Sequence, residues 1–349
     1  MSRLLIFLNI FILITGANSG YINTDDNNIK NYEEKEIEEP LTIDQIDLDL
    51  NPNEMGRVMI LMFHSVGDED GVWEVSKEAF REDLEYLYES DYYLVSLKDF
   101  VKGEMDVPAG KTPIILTFDD GLQNNFNVLE ENGEIVVDPE SAVGIMEEFK
   151  KENPGFNSTA TFFLFGNNPF RQKEYINFKL NFLIENGYDV GNHTYNHAYL
   201  NEAENKEEIE YQLGRQVEVI KKYIPEYDIN TLALPYGIRP EGDLEKHIIN
   251  GSYDGFEYKH NAVLNVGSHP SYSWIDKRFD FKQIPRIRVS RTDENQESED
   301  WYKYFEENYD KRYISDGVED IITIPKDIEE LLNKELLGDR QLYVYDKEN

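Results

Sequence analysis

The chain has 349 residues and is strongly acidic, with 34 Lys and Arg against 70 Asp and Glu and a formal charge of −36. A surface of this average charge repels polyanions and argues against a nucleic-acid partner, although the same excess of acid is typical of adaptation to salt or of solubility. The absence of cysteine excludes disulfides and thiolate zinc sites, so any metal must be bound by histidine and carboxylate.

The chain begins with the pattern of a secretory signal, MSRLLIFLNIFILITGANSG. Its apolar run, residues 4–15, is shorter than the roughly 20 residues of a membrane-spanning helix, although an uncleaved tether is the alternative. Ala17 and Ser19 stand at the spacing of a cleavage site. We predict a signal peptide over residues 1–19, a secreted or cell-surface protein, and an acidic linker over residues 20–54.

Beyond the linker, predicted strands alternate with predicted helices. The strands are 58–63, 92–97, 114–118, 160–165, 188–192, 231–234, 262–266 and 284–289, and the helices are 77–89, 141–150, 174–186, 204–223 and 243–250. This alternation favours a parallel α/β architecture, and polar residues at the carboxyl ends of the strands favour a barrel with its site on that face. We expect one domain over residues 55–291, with residues 292–349 as a C-terminal appendage packed on it.

Two adjacent carboxylates follow the strand in PIILTFDDGLQNN, residues 113–125. Like charges this close are unfavourable unless each has its own partner, so Asp119 and Asp120 indicate a bound cation, a proton-transfer task, or both. An acidic turn after a strand is the structural alternative.

Two histidines four residues apart follow another predicted strand in GYDVGNHTYNHAYL. In a helical turn this spacing would put His193 and His197 on one face, ready to bind one ion, although a hydrogen-bonding turn is the alternative. With one carboxylate of the Asp pair they give two imidazoles and one oxygen ligand, and the open positions are typical of a catalytic metal site.

A third stretch, LALPYG, also stands at a strand end. Pro235 and Gly237 shape a turn that could present the backbone N–H of Tyr236 as an oxyanion donor. Taken alone, the tripeptide PYG, residues 235–237, is typical of an ordinary loop.

TFDDG, HTYNH and LPYG, in this order, resemble the first three motifs of the NodB-homology polysaccharide deacetylases, carbohydrate esterase family four. The resemblance is nearest to the poly-N-acetylglucosamine and peptidoglycan deacetylase branch. It implies a distorted (β/α) barrel and a hydrolase that removes acetyl groups from N-acetylated or O-acetylated polysaccharide of a cell wall or exopolysaccharide. By this resemblance Asp119 is the general base, Asp120, His193 and His197 bind a divalent metal, and Tyr236 contributes its backbone N–H. Zinc is the first expectation for the metal, with cobalt, nickel or iron as alternatives.

The sequence departs from the family in two places. Ala233 stands where the third motif usually has an arginine, and the usual Leu-x-His that supplies the general acid has no clear match. The stretches LMFHSV and QIPRIRV lead us to expect that His64 lines the site and that Arg286 supplies the missing positive charge beside Asp119. The structural alternatives are a core histidine and a surface ion pair, and His269 is a weaker candidate for the acid.

The two remaining histidines, His247 and His260, are expected to be ordinary surface residues.

Two other functions compete with deacetylation. A catalytically impaired glycan-binding relative is allowed by the altered motifs, whereas the intact Asp119 and metal triad argue against it. A phosphatase with an aspartyl nucleophile is suggested only by carboxylates after a strand. Such sites space their two aspartates by one residue, whereas Asp119 and Asp120 are adjacent.

The expected partner is an acetylated glycan, with a membrane involved only if the N-terminal segment stays uncleaved. The sequence does not indicate the oligomeric state.

Overall fold

The structure, a computed structural model, describes residues 42–292 and 296–347. The predicted signal peptide, residues 1–19, and most of the predicted linker lie outside these residues. Within the described ranges, no helix has both the length and the apolar character needed to cross a membrane.

A single parallel sheet of eight strands forms the centre of the fold. Its strands are β1 (Met59–Phe63), β2 (Tyr92–Leu94), β3 (Thr112–Phe118), β4 (Thr161–Leu164), β5 (Asp189–Asn192), β6 (Thr231–Ala233), β7 (Ala262–Leu264) and β8 (Ile287–Arg288). They lie in the order β7-β6-β5-β4-β3-β1-β8, and β2 pairs with the first residues of β3. The sheet is curled into a half-barrel, which confirms the predicted α/β fold of the distorted (β/α) barrel type.

The register of the sheet determines which loops meet. Phe63 at the end of β1 lies opposite Phe118 at the end of β3, so His64 and Asp119 leave neighbouring strands at the same level. Since all the strands are parallel, the loops that follow β5 and β6 open on the same edge. Polar side chains from distant parts of the sequence therefore converge at the carboxyl edge of the sheet.

In the part of the chain that the structure describes, six α-helices accompany the sheet. They are α1 (Lys77–Glu89), α2 (Leu97–Lys102), α3 (Ala142–Glu152), α4 (Ile176–Glu185), α5 (Lys206–Lys221) and α6 (Glu297–Glu307). The predicted helices corresponding to α1, α3, α4 and α5 are confirmed to within two residues at each end. Side-chain caps explain several of the starts: the hydroxyl of Ser76, for example, accepts a hydrogen bond from the N–H of Ala79.

One predicted helix is wrong in type. The predicted helix over residues 243–250 is a 3-10 helix, Gly242–Ile248, which has no side-chain cap at its start. Other 3-10 helices of the described chain are Ile43–Gln45, Leu48–Leu50, Pro169–Arg171, Lys173–Tyr175, Leu200–Glu202, Pro235–Gly237, Tyr309–Lys311, Lys326–Leu331 and Lys334–Leu336. Two-stranded ribbons join Ser65–Gly67 to Glu74–Ser76, Val128–Glu131 to Glu134–Val137, and Asn250–Tyr253 to Phe256–Lys259.

The sheet is buried on both faces, as expected for parallel strands. On the helix side, the rings of Phe63, Phe118 and Phe162 stack across β1, β3 and β4 with centroids 5.1 and 5.0 Å apart. On the inner side, Phe163 and Ala233 belong to a second apolar cluster. These two layers give the carboxyl edge a rigid support.

The segments that flank the predicted domain are packed against it. In the C-terminal part, β9 (Ile321–Pro325) and β10 (Gln341–Tyr345) form a parallel pair. The carboxylate of Glu54 is buried and accepts hydrogen bonds from the Tyr313 hydroxyl and the Thr323 N–H. The predicted domain boundaries remain predictions.

The prediction for His260 is wrong, because this residue is buried rather than exposed. Its Nδ1 lies 2.6 Å from the carbonyl oxygen of Ile248, and its ring stacks on that of Tyr258 with centroids 5.3 Å apart. Burial lowers the pKa of His260 to about 4, so it is a neutral core histidine.

Candidate active site

Asp119 and Asp120 occupy the point at which β3 ends. The N–H of Asp119 donates to the carbonyl oxygen of Phe63 at 3.0 Å and so extends the pairing with β1 by one residue. Asp120 then adopts the left-handed conformation, with φ of +73°, and turns the chain out of the sheet. The two carboxylates consequently have different surroundings: Asp119 is buried, whereas Asp120 is only partly buried.

Arg286 forms a bidentate ion pair with Asp119. Its Nη1 and Nη2 atoms lie 2.7 and 2.8 Å from the two carboxylate oxygens, and the exposed fractions of Arg286 and Asp119 are 0% and 2%. The guanidinium also donates from Nε to the carbonyl oxygen of Asn265 at 3.1 Å and from Nη1 to the Thr117 hydroxyl at 3.2 Å. The alternative that Arg286 forms a surface ion pair is therefore wrong.

This pair governs the ionisation of Asp119. Burial is the largest influence and would raise the pKa of the carboxyl. The charge of Arg286, the neighbouring His193 and the hydrogen bonds from Arg286 together outweigh it and hold the pKa of Asp119 well below its usual range. Asp119 is therefore a carboxylate throughout the neutral and mildly acidic range.

Replacing the arginine is expected to destabilise the protein. Arg286→Ala leaves the buried carboxylate of Asp119 without its partner, which typically costs about 3–5 kcal/mol. Urea unfolding of the metal-free protein at pH 7 measures the loss. The surface-pair variant Arg81→Ala serves as the matched control and should lose no more than about 1 kcal/mol, because the Arg81–Glu140 pair is partly exposed.

The pH dependence provides a second check on the pair. The depressed pKa of Asp119 stabilises the wild type above the unfolded-state pKa, about 3.9, and this stabilisation is lost as pH falls through the lower folded-state value. In Arg286→Ala, burial without the guanidinium should raise the pKa of Asp119 instead. Lowering the pH then protonates the unpaired carboxyl, so the stability difference between variant and wild type should become smaller. A gap between the two proteins that widens towards pH 4 would contradict this account.

Asp120, His193 and His197 form a candidate metal site. Oδ1 of Asp120 lies 3.6 Å from Nε2 of His193 and 3.3 Å from Nε2 of His197. One ligand atom from each residue falls within 4.8 Å of the other two. Ligands about 2.0–2.1 Å from a tetrahedral zinc ion lie about 3.3 Å apart, close to these separations.

The surroundings of these three side chains fit a divalent ion. Oδ1 of Asp120 is buried and makes no hydrogen bond within the described residues. The Nδ1 atoms of both histidines are already engaged, that of His193 with the Ala233 carbonyl oxygen and that of His197 with the Tyr236 hydroxyl. Both Nε2 atoms are therefore left facing the carboxylate, which is the arrangement of histidines that bind a metal.

The histidine pair is brought together by a loop, not by a helical turn. Thr194 and His197 have φ of +59° and +51°, and the two imidazole centroids lie 4.9 Å apart. Strained, left-handed residues other than glycine cluster at functional sites, and Asp120 and Tyr236 share this conformation.

His64 lies beside the two carboxylates at the end of β1. Burial lowers the pKa of His64, and the charges of Asp119 and Asp120 oppose that effect only in part. Its ring meets that of Trp73 edge-on, with centroids 4.7 Å apart, and its Nδ1 has no hydrogen-bond partner among the described residues. The other acid candidate, His269, is exposed, and its Nδ1 lies 3.1 Å from the carbonyl oxygen of Pro270.

Several residues at the site were not predicted from the sequence. Two of them are aromatic side chains near the ligands and His64 that are about half exposed, Trp73 at 47% and Tyr199 at 45%. Arg171 donates to the carbonyl oxygen of Asp120 at 3.2 Å. The sequence pattern offered no signal for these contacts beyond the position of Tyr199 two residues after His197.

The fold and the site together define a class: (β/α) barrels that gather carboxylates and imidazoles at the carboxyl edge of the sheet. Residues 106–245 match the model of the family described as polysaccharide deacetylase, and this segment contains all three motifs. This match to the polysaccharide deacetylase family confirms the resemblance that the motifs indicated. His64 and Arg286 lie outside the matched segment.

Among solved structures, a polysaccharide deacetylase from Bacillus cereus is 18% identical with a TM-score of 0.52, covering 70% of this chain and 68% of that chain. IcaB from Ammonifex degensii is 17% identical with a TM-score of 0.49, covering 73% and 97%. A Bacillus anthracis chain described as a polysaccharide deacetylase is 18% identical with a TM-score of 0.49, covering 68% of this chain and 66%, just under two thirds, of its own length. At this identity the Bacillus cereus structure supports the fold alone. No curated protein is significantly similar to the chain.

Proposed function

We propose that this protein is a secreted, metal-dependent hydrolase that removes acetyl groups from an N-acetylated or O-acetylated polysaccharide of a cell wall or exopolysaccharide. The observation that carries the proposal is the pairing of two unlike sites at one strand end: a carboxylate locked to Arg286 and a second carboxylate facing two imidazoles. The match of residues 106–245 to the polysaccharide deacetylase family supports an acetylated glycan as the substrate. Secretion rests on the signal pattern of residues 1–19.

Asp120, His193 and His197 are the residues proposed to hold the divalent ion, with zinc as the first expectation and cobalt, nickel or iron as alternatives. When bound, such an ion supplies Lewis acidity to the acetyl carbonyl and increases the acidity of a water molecule. The three side chains offer one carboxylate oxygen and two imidazole nitrogens, which leaves room for substrate and water.

Asp119 is proposed as the general base. It is ionised at neutral pH, and Arg286 restricts its orientation through two hydrogen bonds. Each carboxylate oxygen keeps a second lone pair, and Oδ2 lies 4.0 Å from Nε2 of His193, on the side of the metal ligands. A carboxylate with so low a pKa is a weak base, so the proposal requires an acidified water.

Two further groups complete the proposal. The backbone N–H of Tyr236, in a turn at the end of β6, is assigned to the oxyanion that develops on the acetyl carbonyl. His64 is assigned to the leaving nitrogen, because it faces Asp119 and Asp120 from the neighbouring strand. The proton that Asp119 removes from water could then return to the leaving group through this imidazole.

The assignment of His64 can be tested with two leaving groups. An amine must be protonated to leave, whereas p-nitrophenolate leaves without a proton. His64→Ala should therefore lower kcat on an N-acetylated oligosaccharide by ~10²–10⁴-fold, the usual contribution of a general acid, and lower kcat on p-nitrophenyl acetate far less. Equal losses on both substrates would contradict the assignment.

The proposed function is tested by acetate release from a panel of acetylated glycans, with metal analysis of the same protein sample. The panel should contain peptidoglycan, poly-N-acetylglucosamine, chitin oligomers and an O-acetylated plant polymer. Acetate release that chelation abolishes and zinc or cobalt restores is the expected result. Tight glycan binding without release under any metal would instead support the impaired relative.

A further inference from the structure

The two imidazoles of the candidate metal site differ in what holds their second nitrogen. Nδ1 of His193 lies 2.8 Å from the carbonyl oxygen of Ala233, in a buried position. A carbonyl only accepts hydrogen bonds, so this contact places the proton of His193 on Nδ1 and leaves Nε2 with a free lone pair. The backbone carbonyl of Ala233 alone therefore leaves Nε2 of His193 available as a metal ligand.

His197 depends on a side chain instead. Its Nδ1 lies 3.0 Å from the hydroxyl oxygen of Tyr236, and a hydroxyl can either donate or accept. Only when the Tyr236 oxygen accepts does Nδ1 carry the proton and Nε2 remain free for an ion. The Tyr236 ring also meets the imidazole edge-on, with centroids 4.7 Å apart at 71°, so the contact restrains the rotation of His197.

The position of Tyr236 is held by a turn and by a second aromatic ring. Tyr236 has a left-handed backbone, φ of +59°, in a turn closed by the N–H of Gly237 on the carbonyl of Leu234 at 2.9 Å. A non-glycine residue in this conformation costs of order 1–3 kcal/mol and persists only where its surroundings impose it. The ring of Tyr199 stacks on that of Tyr236 with centroids 4.1 Å apart and an interplanar angle of 8°.

The surrounding protein covers only about half of each side chain, because Tyr199 and Tyr236 are 45% and 49% exposed. Their mutual stack, the contact of Tyr236 with His197 and the turn at Tyr236 restrain them further. The loop that carries His197 and Tyr199 is thereby tied to the turn that carries Tyr236.

We propose that Tyr236 is a positioning residue for the metal ligand His197: its hydroxyl oxygen accepts the Nδ1–H and selects the tautomer and ring orientation that binds the ion, while Tyr199 holds the Tyr236 ring in place. This role belongs to the side chain of Tyr236 and is separate from that of its backbone N–H. It rests on the metal site of the proposed function, and it does not depend on which glycan is the substrate.

The experiment is a metal titration of Tyr236→Phe, which removes only the hydroxyl and keeps the ring, its stack and the backbone N–H. Metal-free protein is titrated with Zn²⁺ in competition with a chromophoric chelator. Loss of a partner that orients a ligating histidine typically costs about 10–100-fold in metal affinity, and this is the expected weakening. Equal affinities of Tyr236→Phe and wild type would overturn the proposal.

Two further variants separate positioning from general disturbance. Tyr309→Phe removes another exposed tyrosine hydroxyl, 3.5 Å from the Gly110 carbonyl at the opposite end of β3, and should bind Zn²⁺ as the wild type does. Tyr199→Ala keeps the Tyr236 hydroxyl but removes the stack, so it should weaken Zn²⁺ binding, though by less than Tyr236→Phe. A loss in Tyr309→Phe equal to that in Tyr236→Phe would overturn the proposal, and an unchanged affinity in Tyr199→Ala would overturn the part assigned to Tyr199.

A structural role for the hydroxyl is tested in the absence of metal. The unfolding temperature of metal-free Tyr236→Phe should match that of the wild type, because the hydroxyl belongs to a half-exposed side chain. A large fall in this temperature, with Zn²⁺ affinity unchanged, would show a stabilising contact only and would overturn the positioning role.

Failure of this proposal is distinguishable from failure of the proposed function. Weaker Zn²⁺ binding in Tyr236→Phe together with no acetate release from any glycan by the wild type would refute the deacetylase and retain the positioning role. Acetate release by the wild type together with equal Zn²⁺ affinities would refute the positioning role alone.

Discussion

Asp119→Asn is expected to lower kcat for acetate release by ~10²–10⁴-fold, the usual contribution of a general base, while the protein retains its metal. The amide has nearly the shape of the carboxylate but cannot take a proton from water. Asp119 is not among the three proposed ligands, so metal content measured on the purified variant should stay close to that of the wild type. Steady-state kinetics and metal analysis on one preparation check both statements.

Asp120→Asn is the matched comparison, because it makes the same chemical change one residue away. Here the variant should lose metal affinity first, and excess metal should restore part of its activity. Excess metal should not restore Asp119→Asn. Equal metal loss in both variants, or equal rescue by excess metal, would contradict the division of roles between the two carboxylates.

A stability measurement must accompany this comparison. Asp119→Asn leaves the buried guanidinium of Arg286 without a counter-charge, and breaking a buried pair in this way typically costs about 3–5 kcal/mol. Asp119→Glu keeps the charge and displaces the carboxylate by one methylene. It should be closer to the wild type in stability and still lose activity. Full activity in Asp119→Glu would show that the position of this carboxylate is not critical.

The fold could be predicted because its signals are local and repeated. Apolar runs of strand length alternate with helical periodicity, and four helices begin and end within two residues of their predicted bounds. The segment at Gly242–Ile248 differs because helical periodicity does not distinguish an α-helix from a 3-10 helix over so short a stretch. His260 was misplaced because an isolated histidine carries no sequence signal of its own burial.

The placement of Arg286 shows how far topology extends a prediction. Its sequence position after Pro285 only indicates a late strand. In the sheet, β8 lies next to β1, and β1 pairs with β3. Arg286, immediately before β8, therefore reaches Asp119 at the end of β3 across one intervening strand. A bidentate pair with complete burial could not be predicted, since it depends on the curl of the sheet and on the acceptors at Asn265 and Thr117.

Conformations that residue type normally opposes could not be predicted at all. Thr194 and His197 adopt positive φ without being glycine, and this brings the two imidazoles together where a helical turn was anticipated. The contacts of Trp73 and Tyr199 depend on which aromatic side chains remain exposed, and 13% aromatic composition does not reveal that. The burial of Glu54 could not be predicted from composition either, because a segment rich in acidic residues usually indicates a solvated chain.

Substitution of either histidine ligand is expected to cause the largest loss of metal affinity and turnover. His193→Ala and His197→Ala should each weaken Zn²⁺ affinity by more than about 100-fold, because even the loss of an outer partner of a ligating histidine costs about 10–100-fold. Turnover should fall below detection at metal concentrations that saturate the wild type. His247→Ala is the control, since His247 lies 3.9 Å from Glu210 on α5 and outside the site, and it should keep both metal and activity.

The two histidines should nevertheless differ in what else they lose. His193 is almost fully buried against the Ala233 carbonyl, so His193→Ala leaves a cavity and an unpaired backbone acceptor and should lower stability without metal as well. His197 is partly exposed and its partner is the Tyr236 hydroxyl, which water can satisfy after the substitution. His197→Ala should therefore unfold, metal-free, within about 1 kcal/mol of the wild type. If either variant retained both Zn²⁺ and turnover, Asp120, His193 and His197 would not be the metal site.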